Sequence, residues 1–378
     1  MGASLDDYTI SREEELAQER KLADSKNYIK DTAEDINKKG MKGLEALLSV
    51  FSDLSKSNAP MIAGEEYLRG EMKNLDYKLK DVEDVVRDER LYKGIETTES
   101  LGIAISAAIN NVIKPGEKVH IKSPKPIDNL FYNLKDAEGH VDIAGDYLGK
   151  HAVNSKIFAK NAGHSAGEEV VNSELHIYEV SNALGENSKN SKIYVNKARD
   201  WLGNNSKGNL IFARETGNYT GSRIEDTKLY VDKAGDDFAC YAINSEIHFN
   251  EVGDGAAERI SHCNVYGRKA GKEFGVEAGS SKMYVDELGD NACQWMENSK
   301  LYFKKLDGKL GSWYIDVNVH NKVYKNGSRY ILPNIKHEAE VMNYKIKDYL
   351  KRIKDRFEPE PEPSWALLLF YLGGNSKK

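Results

Sequence analysis

Every eighteenth residue from Ile157 is aliphatic or Met: Ile157, Leu175, Ile193, Ile211, Leu229, Ile247, Val265, Met283 and Leu301, with no insertion breaking the count. The residue after each of these is aromatic or His, from Phe158 and His176 through His248 to Tyr302, and the next is apolar except at Gly267. Apolar residues at alternate positions make a short strand with one face inward. A smaller core residue follows five places on (Ala162, Val180, Ala198), and a glycine six places on in most repeats (Gly145, Gly163, Gly217, Gly235, Gly253). A second small residue comes ten places on (Gly149, Gly167, Gly185, Gly203, Gly221, Ala239, Ala257). Two corners per repeat thus avoid bulk, as tight bends or close backbone approach require. A fixed period in this range predicts a solenoid.

Four places after the aliphatic residue the chain reads Glu179, Lys197, Glu215, Lys233, Glu251, Lys269, Glu287, Lys305. The sign alternates at every repeat. Stacked coils put such neighbours ~4.8 Å apart, where like charges repel and opposite charges form a ladder. Each exposed pair is worth only ~0–1 kcal/mol, so the ladder specifies register more than it stabilises. The prediction is a mainly β protein, a parallel β-helix with 18-residue coils, flanked by α-helical N- and C-terminal extensions. Stepping outward places Gly139-His140-Val141, then Ile121, in phase on one side and Val319-His320 on the other. Eleven or twelve coils then make a rod on the order of 50 Å long.

The flanks change period. Residues 1–93 read as a helical extension. Ser11 with Glu14 forms a capping box, Leu22, Ile29 and Ile36 recur every seven, and Leu44, Leu47, Leu48, Phe51 and Leu54 form one apolar face. A further helix carries Leu68, Met72, Leu75, Leu79, Val82 and Val86. This extension is expected to cap the first coil, whose open end would expose strand edges, or to dock a partner. The β-helix is assigned to 94–325 and an amphipathic helix with Met342, Ile346 and Ile353 to 326–357. A Glu-Pro spacer with an apolar tail fills 358–378, the tail carrying Trp365, Leu368, Leu369, Phe370 and Leu372. These eight apolar side chains are the candidate partner-docking residues; the tail's eight-residue apolar run is too short to span a bilayer, which needs ~20 residues.

Composition narrows the classes. A formal net charge of −6 gives no support for nucleic-acid binding. Cys240, Cys263 and Cys293 fall in three different columns without a CxxC spacing, as expected of buried thiols in a reducing, cytoplasmic compartment. The first thirty residues are charged and do not read as a signal peptide; Met1-Gly2 suggests myristoylation, but Asp6 stands where that motif has Ser or Thr.

No catalytic constellation, cofactor site or metal site is predicted. His140, His176, His248 and His320 share the aromatic column, at least two coils or roughly 10 Å apart, too far to share a metal. Asp236 and Asp254 fall in adjacent coils, with Asp200 and Asp290 in the same column. Two carboxylates that close suit acid–base work or a cation, yet the position just after the turn glycine also favours Asp for its turn geometry.

The repeat Ile-Tyr-Val-x-Lys-Ala-Gly-Asp-x-x-Gly, best seen around 193–203 and 229–239 and in 145–168, resembles the GXGXG domain. That family comprises the C-terminal domain of the glutamate synthase large subunit and the β-helical component of formylmethanofuran dehydrogenase. Thr97, Gly102, Ser106 and Ile109 fall where the family has a helix leading into the rod. The resemblance covers about 96–325 and implies a right-handed β-helix that packs catalytic domains together without supplying a nucleophile or flavin site. The chain departs from the family in carrying Asn-Ser, as at Asn154-Ser155, Asn190-Ser191 and Asn298-Ser299, where paired glycines are usual, and Glu99 where a basic residue is usual.

The function expected is a non-catalytic scaffold that organises protein partners, or itself, through its helical arms and apolar tail. A fragment 94–325 is then expected to fold but lose partner binding. The alternative is a subunit of a glutamate-synthase-like or formylmethanofuran-dehydrogenase-like oxidoreductase complex with cofactors on other chains. End-to-end self-assembly is opposed by helices that block the strand edges.

Overall fold

The computed structural model describes residues 12–95, 98–312 and 318–321. Twelve parallel strands follow in chain order: β1 (Lys118–Ile121), β2 (Glu138–Ile143), β3 (Lys156–Ala162), β4 (Glu174–Val180), β5 (Lys192–Ala198), β6 (Leu210–Glu215), β7 (Lys228–Lys233), β8 (Glu246–Val252), β9 (Asn264–Ala270), β10 (Lys282–Leu288), β11 (Lys300–Leu306) and β12 (Asn318–Asn321). Each pairs only with its sequence neighbours, so one sheet forms a wall of the β-solenoid. The aliphatic column is the core: Ile157, Leu175, Ile193 and their successors are fully buried. The charge column is in register as expected, with Glu179 opposite Lys197 and Glu251 opposite Lys269.

The first coil departs from the expected count. Lys118 pairs with Glu138, twenty residues on, so Ile121 lies opposite Val141 and not in phase with Gly139. The surplus falls in Lys122–Ile127, where Pro124 and Pro126 lack the amides a regular turn needs.

The rest of each coil is an arc of turns with an unexpected regularity. In the coil beginning at Ile157, Ser165, Gly167, Glu169 and Asn172 all have left-handed φ of 50–64°. Alternating left-handed and ordinary residues aim successive amides at opposite neighbours. Ser165 and Glu169 donate forward to the carbonyls of Asn182 and Glu186, while Gly167 and Val171 donate back to Leu148 and Ala152. A one-residue parallel bridge runs through the same column of every coil, Val153 to Val171 to Lys189 and onward. The arc is therefore a second hydrogen-bonded wall, which repays the cost, on the order of 1–3 kcal/mol, of each non-glycine residue held left-handed. Only one of the four positions also demands a missing side chain. A Cβ on Gly167 would lie 2.2 Å from Leu175 Cδ1 inside the core, which is why this column is small.

Among the described residues six α-helices precede the rod: α1 (Arg12–Lys38), α2 (Gly43–Leu54), α3 (Ala59–Ala63), α4 (Glu65–Met72), α5 (Leu79–Arg87) and α6 (Glu99–Val112). The single helix expected over Leu68–Val86 is two. Asp81 accepts the Lys78 amide and starts a new helix, while Tyr77 turns inward to α6, its hydroxyl donating to the Ala108 carbonyl. The expected capping residue Ser11 lies outside the described residues.

The helices pack against the first coil. Leu47, Leu54, Leu68, Met72, Val82 and Val86 share one continuous core with Leu101 and Ile105 of α6 and with Ile121 and Ile127 of the first coil. Glu83 of α5 accepts the His120 amide and so closes a bond on the free edge of β1. Gly102 of α6 touches the first coil so closely that a Cβ there would lie 1.6 Å from the Asp128 carbonyl oxygen. One turn further on, Ser106 donates to the Asn129 carbonyl and accepts the Tyr132 amide. No described helix is long and apolar enough to cross a membrane.

Candidate interaction surfaces

The polar columns are consumed by contacts between coils. In the aspartate column, Asp200 Oδ1 accepts the Asn218 amide (2.8 Å), Asp236 the Asp254 amide (2.9 Å) and Asp254 the Lys272 amide (2.7 Å). Asn182 and Asn218 do the same work in their own coils. The column glycine packs directly on this carboxylate: a Cβ on Gly253 would lie 2.1 Å from Asp236 Oδ1. Asp236 and Asp254 are thus joined by a structural chain of side-chain-to-amide bonds.

The Asn-Ser steps have a matching explanation. Asn154, Asn172, Asn190 and Asn298 take φ of 48–50°, the left-handed conformation for which asparagine is the best non-glycine residue. The serine beside each is buried and bridges coils. Ser173 Oγ accepts the Ser155 amide and donates to the Val171 carbonyl, and Ser191, Asn209, Thr227 and Ser245 continue the series.

The histidines stand in one stack of rings. His120, His140, Phe158, His176, Tyr194, Phe212, Tyr230, His248, Tyr266, Tyr284 and Tyr302 follow one another at centroid distances of 4.4–5.4 Å. An exposed binding face is expected of this ladder. Phe158, His176, Tyr194 and His248 are instead buried and Phe212, Tyr230, Tyr266, Tyr284 and Tyr302 half-buried, because each ring is covered by rings of neighbouring coils. His140, His176 and His248 each bond through Nε2 to the glutamate two residues earlier. Those glutamates pair with Lys118, Lys156 and Lys228 of the preceding strand, a second charge ladder one place before the aliphatic column. Burial opposes ionisation of Glu138 and Glu246, but the lysine and imidazole beside each outweigh it and hold both carboxyls below their ordinary range.

The exposed aromatics lie on the turn wall. Tyr147, Trp201, Tyr219, Tyr241 and Trp295 are 37–50% exposed, and all five are left-handed residues in columns whose side chains point to solvent. Trp201 stacks on Tyr219 at 4.3 Å, and Tyr241 receives a bond from Arg259. Spacing alone could have found them, because they occupy the columns eight and twelve places after the aliphatic residue. At the helical end, Leu16 and Leu22 of α1 are also exposed.

The three cysteines are free and buried as expected. Burial raises all three thiols, Cys240 up to about 12 and Cys263 and Cys293 upward as well. The candidate docking residues Met342, Ile346, Ile353, Trp365, Leu368, Leu369, Phe370 and Leu372 lie outside the described residues. No family model, curated protein or solved structure matches this chain.

Proposed function

We propose that this chain is a non-catalytic scaffold that organises protein partners along a rigid β-solenoid. The observation that carries the reading is the consumption of its polar columns. The aspartates and serines that the sequence offers for chemistry are committed to amides of neighbouring coils, and the ladder histidines His140, His176 and His248 to glutamates of their own strands. What faces outward on a rigid wall is a set of large aromatics, residues rich in binding energy at protein interfaces. Full-length chain carrying Trp201→Ala, Tyr219→Ala and Trp295→Ala together should keep its fold and lose its stoichiometric partner on purification from native cells. Retention of every partner by the triple variant would remove this wall as the binding face.

The second reading is a structural subunit of an oxidoreductase complex. It is favoured by the seat of α6, where Gly102 and Ser106, two of the residues that carry the GXGXG resemblance, fasten the lead-in helix to the first coil. A flavin or iron–sulfur spectrum in the purified native complex would decide for it.

A further inference from the structure

The turn wall holds one place where three metal-binding side chains converge. Asp237 and Cys240 lie in one coil and Glu258 in the next, and their carboxylate and thiol atoms all lie within 4.8 Å of one another. We propose that Asp237, Cys240 and Glu258 form a binding site for a thiophilic divalent cation of the zinc class.

The backbone brings the donors together. Cys240 and Glu258 are one coil apart in the same column, and each follows a left-handed alanine, Ala239 (φ 57°) and Ala257 (φ 59°). Asp237 enters from the column three places earlier in the same coil as Cys240. In earlier coils this column holds matched polar pairs: Lys150 with Glu168 at 3.0 Å, and Asn204 with Glu186 at 3.1 Å. At Cys240 and Glu258 the pair is instead a thiol and a carboxylate, with a second carboxylate added.

The donor set selects the ion. A thiolate excludes magnesium and calcium as preferred occupants and favours zinc and its relatives, for which sulfur with carboxylate oxygens is an ordinary ligand set. The Gly255 carbonyl oxygen, 3.3 Å from Cys240 Sγ, is placed to serve as a fourth ligand, or a water can do so. On binding, the thiol proton passes to solvent and sulfur becomes the thiolate ligand. Three anionic ligands on a divalent ion leave one excess negative charge. Arg259 stands 3.5 Å from Glu258 to offset it, while also holding Glu277 and Tyr241. Cys240 is buried, whereas Asp237 and Glu258 are half-buried, so an ion enters from the solvent side of the wall.

The test uses the full-length chain with metal alone. Zn²⁺ is titrated calorimetrically, and Co²⁺ serves as the optical probe. The expected result is one equivalent bound, with a sulfur-to-cobalt charge-transfer band. Cys240→Ser should abolish the band while leaving the circular dichroism unchanged, since Ser222 fills the same column one coil earlier. Asp237→Asn and Glu258→Gln should each weaken Zn²⁺ binding by about tenfold or more, and Cys263→Ser should leave it unchanged. Absence of a stoichiometric band would overturn the proposal. So would a band that survives Cys240→Ser, or affinity indifferent to both carboxylate substitutions, which would reduce the site to an isolated thiol.

Discussion

Asn172 and Ser173 illustrate how single residues set the coil. Asn172 takes the left-handed turn, and Ser173 Oγ answers the buried Ser155 amide one coil back. Ser173→Ala strands that amide and should cost about 1–3 kcal/mol in a denaturant titration. An unchanged midpoint would mean that the hydroxyl chain is incidental. The aspartate column offers a paired case. Asp236→Asn should be neutral, because Asn218 already accepts the Asp236 amide through the same atom. Asp236→Ala should lose about 1 kcal/mol, the net worth of one hydrogen bond. Had Asp236 been an acid or base, the two variants would be equally inactive in whatever reaction it served. The aliphatic column was legible in the sequence because side-chain size records burial directly, whereas the burial of the aromatic ladder depends on rings stacking between coils. The hydroxyl and carboxylate bonds were not, because Ser and Asp suit many turns and only the register shows which amide they meet.

At the level of elements, the strands followed from the period, whereas the turn wall did not. Its left-handed positions are occupied by Tyr147, Trp201, Glu169 and Arg223 as well as by glycine, so composition gives no cue. The helices are legible in kind but not in number. The α4–α5 break depends on Tyr77 reaching Ala108 and Asn111 of α6, a contact between distant parts of the chain. That contact makes the cap sensitive to alkali. Burial raises the Tyr77 phenol from 10.0 to about 12, an effect the Asn111 bond only partly offsets. The unfolded chain therefore releases this proton first. Stability is fully present below about pH 10 and falls as pH rises toward 12. Tyr77→Phe should flatten that fall, as measured by urea midpoints across the alkaline range; an identical slope in the variant would assign the loss to other tyrosines. Glu246 works in the opposite sense. Its folded-state pKa is depressed, so its contribution is present above the ordinary glutamate range and is lost as pH drops through the folded value. Glu246→Gln should reduce the acid sensitivity of the fold.

For the whole molecule, the continuous core matters most. The repeat pattern alone leads one to expect that residues 94–325 fold by themselves as a rod. The helices instead share their core with the first coil, and Glu83 closes a bond on the β1 edge. A fragment lacking residues 1–93 should therefore expose the outer face of α6 and a free strand edge, and associate in light scattering. A stable monomer would show that the cap is dispensable. The rod carries hydrogen bonds on both walls, and its turn wall presents exposed aromatics in two columns. The central claim is that this surface holds protein partners. Affinity purification of the full-length chain from its native cells, with mass spectrometry and a visible absorption spectrum, tests it most directly. The expected result is a colourless complex in which a protein partner is stoichiometric and is lost from the Trp201, Tyr219 and Trp295 triple variant. Recovery of the chain alone would contradict it.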